Sequence, residues 1–103
     1  MKTIEIENAV IVGITNEQVK MQSGEERQKQ TVLFTENTGN GVVLHGCTVW
    51  DDNIERLGLQ QSGQYKLCCR LVGRQWAGRF SYELVAFKAE QVNKQTEGAQ
   101  EAF

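Results

Sequence analysis

Between Gln64 and Lys88 the chain alternates apolar and polar residues over two long runs, joined by Trp76-Ala77-Gly78-Arg79. Successive side chains of a strand point to opposite faces, so a period of two marks a strand with one buried side. On the first run Tyr65, Leu67, Cys69 and Leu71 share one face, with Gln64, Lys66, Cys68, Arg70, Val72 and Arg74 on the other. A connection with an even number of residues sets Tyr82, Leu84 and Ala86 opposite the apolar set. Arg79, Ser81, Glu83, Val85 and Phe87 then fall on the basic side. The expectation is a hairpin with a greasy inner face and a cationic outer face that carries aromatics. Such a ribbon can line a core and hold a polyanion at once.

The preceding chain reads as strands too. Ile4, Ile6, Val10, Val12 and Ile14 alternate against Glu5, Glu7 and Thr15 in a first strand running from Ile4 to Gln22. Gly13 interrupts it and marks a bulge or bend, as a strand shared by two sides of a barrel needs. After the turn Ser23-Gly24-Glu25, a second strand spans Arg27 to Glu36 around Thr31-Val32-Leu33-Phe34. The loop Asn37-Thr38-Gly39-Asn40-Gly41 leads into a third strand, Val42 to Trp50. Asp51-Asp52 then offers an acidic cap for a short helix, with Ile54 and Leu57 three apart and Gly58 as its stop. Three strands, a short helix and two more strands predict an all-β, five-stranded OB-fold, a Greek-key barrel with its helix between strands three and four.

The 103 residues fit one domain with a core of its own. Residues 1–90 are expected to form the barrel, and 91–103 a polar, disordered tail. No run of about 18 apolar residues is present, and the start lacks a signal-peptide core, so a cytoplasmic protein without membrane contact is expected. Cys47, Cys68 and Cys69 are odd in number, with two adjacent on opposite faces, which is no disulfide framework. His45 and Cys47 share a strand face, but two ligands make no tetrahedral site, so no metal and no cofactor are expected. One histidine, no Gly-x-Ser-x-Gly and no phosphate loop leave nothing for catalysis, and the chain reads as a binding protein, not an enzyme.

Net charge is −2, but its distribution matters more: Gln64 to Phe80 holds Lys66, Arg70, Arg74 and Arg79 and no acid. Non-specific single-strand binding needs flat aromatic faces for bases and cations for phosphates. Trp76 with Arg74 and Arg79 supplies both at the hairpin tip, where an OB-fold's last hairpin loop flanks its ligand cleft. Lys20, Arg27 and Lys29 add cations near the first turn, while Lys66 and Arg70 extend the stripe. Phe80 and Tyr82 are expected to point inward, Trp50 to plug the barrel, and Phe34 to lie in the core. Single-stranded DNA or RNA is therefore the expected partner. Cations on an outer strand face are equally an ordinary solvated surface. In a second reading Cys68, Val72, Val85 and Phe87 form a homodimer or partner-protein interface on that same face.

Three further stretches carry a resemblance: Gly24 to Gln30, Trp50 to Leu57, and Arg74-Gln75-Trp76-Ala77-Gly78-Arg79-Phe80 with the ending Leu84-Val85-Ala86-Phe87-Lys88. Over Ile4 to Glu90 the chain resembles a small bacterial OB-fold family of unknown function, similar in architecture to single-stranded DNA-binding proteins. Where that family's pattern has an aromatic, a second aromatic and a basic residue, this chain has Glu26, Ser81 and Val85. The closing Glu97-Gly98-Ala99-Gln100-Glu101-Ala102-Phe103 is similar to the acidic, Phe-terminated tails by which such proteins recruit partners, though only two acids precede Phe103.

Overall fold

Strand pairing in the computed structural model, which describes residues 2–92, follows the alternation. Five strands and one helix succeed one another: β1 (Thr3–Lys20), β2 (Glu26–Thr38), β3 (Gly41–Trp50), α1 (Asp52–Leu57), β4 (Gln64–Trp76) and β5 (Arg79–Gln91). They close into a barrel in the order β1-β2-β3-β5-β4. All contacts between neighbours are antiparallel except β3 with β5, which run parallel and pair at Thr48 and Val85.

Closure depends on β1. Its first half pairs with β4, from Thr3 opposite Arg70 to Val10 opposite Gln64. Its second half pairs with β2, from Ala9 opposite Glu36 to Lys20 opposite Glu26. The register slips between Ile11 and Gly13, so Val12 is an extra residue that bends the strand from one partner to the other. The inner face is then continuous: Ile6, Ala9, Ile11, Val32, Phe34, Cys47, Val49, Leu67, Cys69 and Ala86 are buried together. Ile54 and Leu57 of α1 pack against this core from one end. Gly58 ends the helix at φ 57°, and its N–H donates to the Ile54 carbonyl. That left-handed position is where glycine costs least.

The last hairpin forms as its alternation requires. Cys69 faces Ala86, Leu71 faces Leu84, and Gly73 faces Tyr82. Trp76 and Arg79 close a turn whose central residues, Ala77 and Gly78, both have positive φ (50° and 78°). This geometry matches the right-handed twist of the strands it joins.

Three expectations are corrected. Phe80 and Tyr82 do lie on the inner-face parity, yet they are exposed, at 61% and 64%. β5 pairs with β3 only at Val85, whereas β4 stays paired with it down to Trp76 opposite Arg79, so the end of the hairpin is a two-stranded arm that leaves both rings to solvent. Trp50 is no plug. Val49 takes the inward position, which leaves Trp50 half-buried on the outer face beside Lys29. Asp51 makes no side-chain cap on α1. Held at φ 52°, it turns its carboxylate to β2, where the Arg27 guanidinium and the Gln28 N–H offer a charge-assisted pair of donors that outcompetes a cap.

The expected tail and its Phe103 fall almost wholly in residues 93–103, outside the described residues. β5 itself continues to Gln91, and the Val92 N–H donates to the Gln64 carbonyl.

Candidate nucleic-acid interface

The outer face of β1, β2 and β3 is built of short side chains at its centre. Thr15 lies opposite Thr31, which lies opposite Thr48, and Gly13 and Gly46 flank Leu33. A Cβ at Gly46 would meet Leu33 at 3.4 Å, so that glycine lets Leu33 lie flat along the sheet. The Thr31–Thr48 row continues through Val85 to Arg70, crossing four strands in register. One uninterrupted outer surface thus joins β2 to β4.

Register also places the turns. Lys29 pairs with Trp50, so the β1–β2 turn lies beyond the C-terminal end of β3. Because β5 runs parallel to β3, the β4–β5 turn lies beyond the opposite end, past Leu44. The two cationic turns therefore stand at opposite ends of the face, consistent with a molecule 54 Å long and only 30 by 23 Å across.

At the first end, Arg27 lies over the Trp50 ring, 4.5 Å from its centroid, and Lys29 sits 5.8 Å away. Asp51 holds Arg27 in place: Nε and Nη2 donate to Oδ2 at 2.7 and 2.6 Å. The Arg27 guanidinium, helped by the Gln28 N–H, keeps the Asp51 carboxyl below its ordinary range. Toward the other end, Arg74 Nε donates to Glu83 Oε1 at 2.7 Å. Burial alone pushes the Glu83 carboxyl up, but the Thr48 hydroxyl, Arg74 and Lys29 together bring it below the usual value.

The sequence-predicted cations are thus sorted. Arg27, Lys29, Arg70 and Arg74 share the outer face, with Arg70 stacked over Phe87 at 5.5 Å. Lys20 and Arg79 sit at the two turns, exposed and without an ion pair among the described residues. Lys66 lies apart, 3.8 Å from Glu5. With Cys68, Lys88 and Glu90 these two line a small depression of about 60 Å³. The backbone of Trp76 closes the hairpin, and its side chain lies outside the described part of the structure.

The residues expected to form an interface are largely covered within the chain. Val85 is buried, and Cys68, Val72 and Phe87 are half-buried. Cys69 is buried against Cys47, and that contact, with burial added to it, pushes the Cys47 thiol far up, so it stays protonated. His45 is bonded to Glu36 at 3.1 Å and stacked on Phe34. Among the described residues, no three His, Cys, Asp or Glu side chains gather as a metal site.

What the sequence reading missed is the aromatic pair on the projecting arm. Phe80 and Tyr82 meet edge to face with ring centroids 4.9 Å apart, over Gly73. No linear signal marked them, since their exposure follows from β3 pairing with β5 at Val85 alone. The acids Asp51 and Glu83 were missed for a different reason. Nothing in the linear order says which cation each will meet.

No protein-family model matches the sequence, and no curated protein matches it. The fold is shared with the second OB-fold domain of replication protein A from Methanococcus maripaludis. That similarity has a TM-score of 0.54 at 14% identity and covers 92% of this chain and 86% of that one. At such identity the likeness speaks to architecture alone. Five strands in a closed barrel, with one short helix between β3 and β4, make this chain an OB-fold.

Proposed function

We propose that the protein binds single-stranded nucleic acid, DNA in the first place, without reading base edges. The observation that carries this reading is the exposed Phe80–Tyr82 pair, held off the barrel on the same arm as Arg74 and Arg79. Beyond their contact with each other and with Gly73 the rings stand open to water, a cost in the free protein that a stacked ligand would relieve. Flat rings suit bases and guanidinium groups suit phosphates, and the narrow arm carries the rings on one face and Arg74 on the other, within reach of one strand that crosses it. Trp76 belongs to this tip, and Arg27, Lys29, Arg70, Lys20 and Lys66 supply further phosphate contacts. The OB-fold shared with a replication protein domain supports the reading, as does the resemblance to a small bacterial OB-fold family.

Titrating a labelled oligothymidylate and following fluorescence anisotropy tests the proposal. Affinity is expected to fall with salt by about 0.7 in log–log slope for each phosphate neutralised. Phe80→Ala with Tyr82→Ala is expected to cost about 1–3 kcal/mol per stacked base, or roughly fivefold to over a hundredfold. Trp76→Ala is expected to weaken binding in the same range. Absence of binding at low salt refutes the proposal.

A second reading, a homodimer or partner-protein module, is favoured by a specific feature at the β2–β3 hairpin. Val42 and Leu44 are more than 60% exposed, and Val43 beside them is also exposed. They lie on the stretch of β3 that precedes its pairing with β5 at Thr48. An apolar edge with free backbone groups invites another strand. Here the occupant is a second copy, because Gly41 to Trp50 contains no Asp, Glu, Lys or Arg to repel itself. Sedimentation with and without oligonucleotide separates the readings. A dimer that Leu44→Lys dissociates supports this one, and a monomer at high concentration removes it.

A further inference from the structure

The two best-placed arginines of the face are already occupied. Arg74 holds Glu83 and Arg27 holds Asp51, each at 2.7 Å or closer. An ordinary surface ion pair between two mobile side chains is worth little and opens freely. These acids are anchored from a second side. The Glu83 side chain is only 20% exposed, and although burial pushes its carboxyl up, Thr48 on the neighbouring strand, Arg74 and Lys29 together favour its charged form. Asp51 Oδ1 accepts from the Gln28 backbone N–H at 3.1 Å, a donor that cannot move away. Each carboxylate therefore stays in place when its arginine leaves, and sits where a phosphate oxygen would otherwise bind.

We propose that Glu83 and Asp51 are built-in competitors for phosphate that make the face selective for polymer length. The inference rests on the reading that this face binds single-stranded nucleic acid. A mononucleotide that engages Arg74 trades one anion for another and gains little. A mononucleotide carries no condensed counterions to release, and the anchored carboxylate repels it. A strand long enough to reach both ends adds Arg70 on the face and Arg79 and Lys20 at the turns. None of these three forms an ion pair among the described residues. Multiplied contacts then overcome a toll that a single contact cannot.

Glu83→Gln and Asp51→Asn remove the charge while keeping the shape and an acceptor oxygen. Asparagine also tolerates the positive φ at position 51. Each variant is expected to tighten oligothymidylate binding roughly three- to tenfold at low salt, and to steepen the salt slope by about 0.7 for the one phosphate contact it releases. The gain in mononucleotide binding is expected to be at least as large, so length discrimination shrinks. Arg74→Ala should weaken binding less in the wild type than in the Glu83→Gln background, because only there is Arg74 free. Glu7→Gln is the control for net charge, since Glu7 is exposed on β1 and has no ion pair among the described residues. If the wild type binds and neither variant exceeds Glu7→Gln, or tightening comes with an unchanged slope, the competitor role is overturned and the binding reading stands. If the wild type and all variants fail to bind at low salt, the binding reading falls and takes this inference with it.

Discussion

Two glycines, each facing an aromatic ring, give the sharpest test of the packing described above. A Cβ at Gly63 would lie 2.6 Å from Tyr65 Cε2 and 2.8 Å from its hydroxyl oxygen. A Cβ at Gly73 would lie 3.0 Å from Phe80 Cζ and 3.2 Å from Cε1. The substitution is the same, but the rings differ in freedom. Tyr65 is buried, and its hydroxyl accepts the Gln60 N–H at 3.1 Å. Gly63 cannot retreat either: its N–H donates to the Gln60 carbonyl, and its own carbonyl accepts from Ile11. Gly63→Ala therefore forces overpacking, costing about 1–3 kcal/mol, and strains a hydrogen bond worth about 0.5–1.5 kcal/mol. Reduced freedom of the unfolded chain returns about 0.4–1 kcal/mol. The net loss is about 0.5–4 kcal/mol, or roughly 2–32 °C in Tm for a domain of this size. Phe80, mostly exposed, can rotate away from a new methyl at position 73. It forfeits an edge-to-face contact of about 0.5–1.5 kcal/mol against the same backbone gain, so Gly73→Ala is expected within about 1 kcal/mol of neutral. Urea unfolding of both variants, followed by circular dichroism, decides the matter. Equal losses, or a neutral Gly63→Ala, would refute the claim that burial of the contacted ring sets the cost. Gly73→Ala has a second use, because it disturbs the Phe80–Tyr82 pair without removing either ring. A folded variant with weakened oligonucleotide binding would implicate the arrangement of the pair.

The two ion pairs across the face predict a pH dependence with a definite sign. The Asp51 carboxyl is lowered by Arg27, and the Glu83 carboxyl is lowered by Thr48 and Arg74 against the upward push of burial. With folded values below unfolded ones, their stabilisation is complete above the ordinary carboxyl values, 3.8 for Asp and 4.5 for Glu, and drains away as pH falls below them. Urea midpoints measured from pH 6 down to pH 3 should fall more steeply for the wild type than for Asp51→Asn with Glu83→Gln; parallel curves would count against the pairs. At the hairpin tip, Ala77 sits at φ 50°, a conformation costing an ordinary L-residue about 1–2 kcal/mol. Ala77→Asn, creating the Asn-Gly pair that such turns prefer, is expected to raise stability by about 0.5–1 kcal/mol; a lower urea midpoint would show that the strain was not there to relieve.

Local chemistry was enough to write down most of the barrel. Period-two alternation from Tyr65 to Leu71 and from Tyr82 to Ala86 sets which side chains share a face, whatever the strands later meet. Gly13 announced the bend of β1, and Ala77-Gly78 the turn, because backbone sterics act over one or two residues. Position along the sheet is another matter, since it depends on where a third strand pairs. Phe80 and Tyr82 have the parity of Ala86, yet β3 pairs with β5 only at Val85, so the same pattern that buries one residue exposes the other two. Trp50 shows the reverse limit: its strand was legible, but its face was settled by Val49 taking the inward place.

For the candidate site, the sequence by itself determined its ingredients: an acid-free run of cations, aromatics near a tight turn, and a fold that leaves an outer face open. Only the tertiary structure decided what those charges do. It brought Asp51 to Arg27 across 24 residues and Glu83 to Arg74 across the hairpin. It also sent the two cationic turns to opposite ends of one surface. Coulombic partners are chosen by distance in space, which strand order and register fix, whereas alternation speaks only of the next residue along the chain.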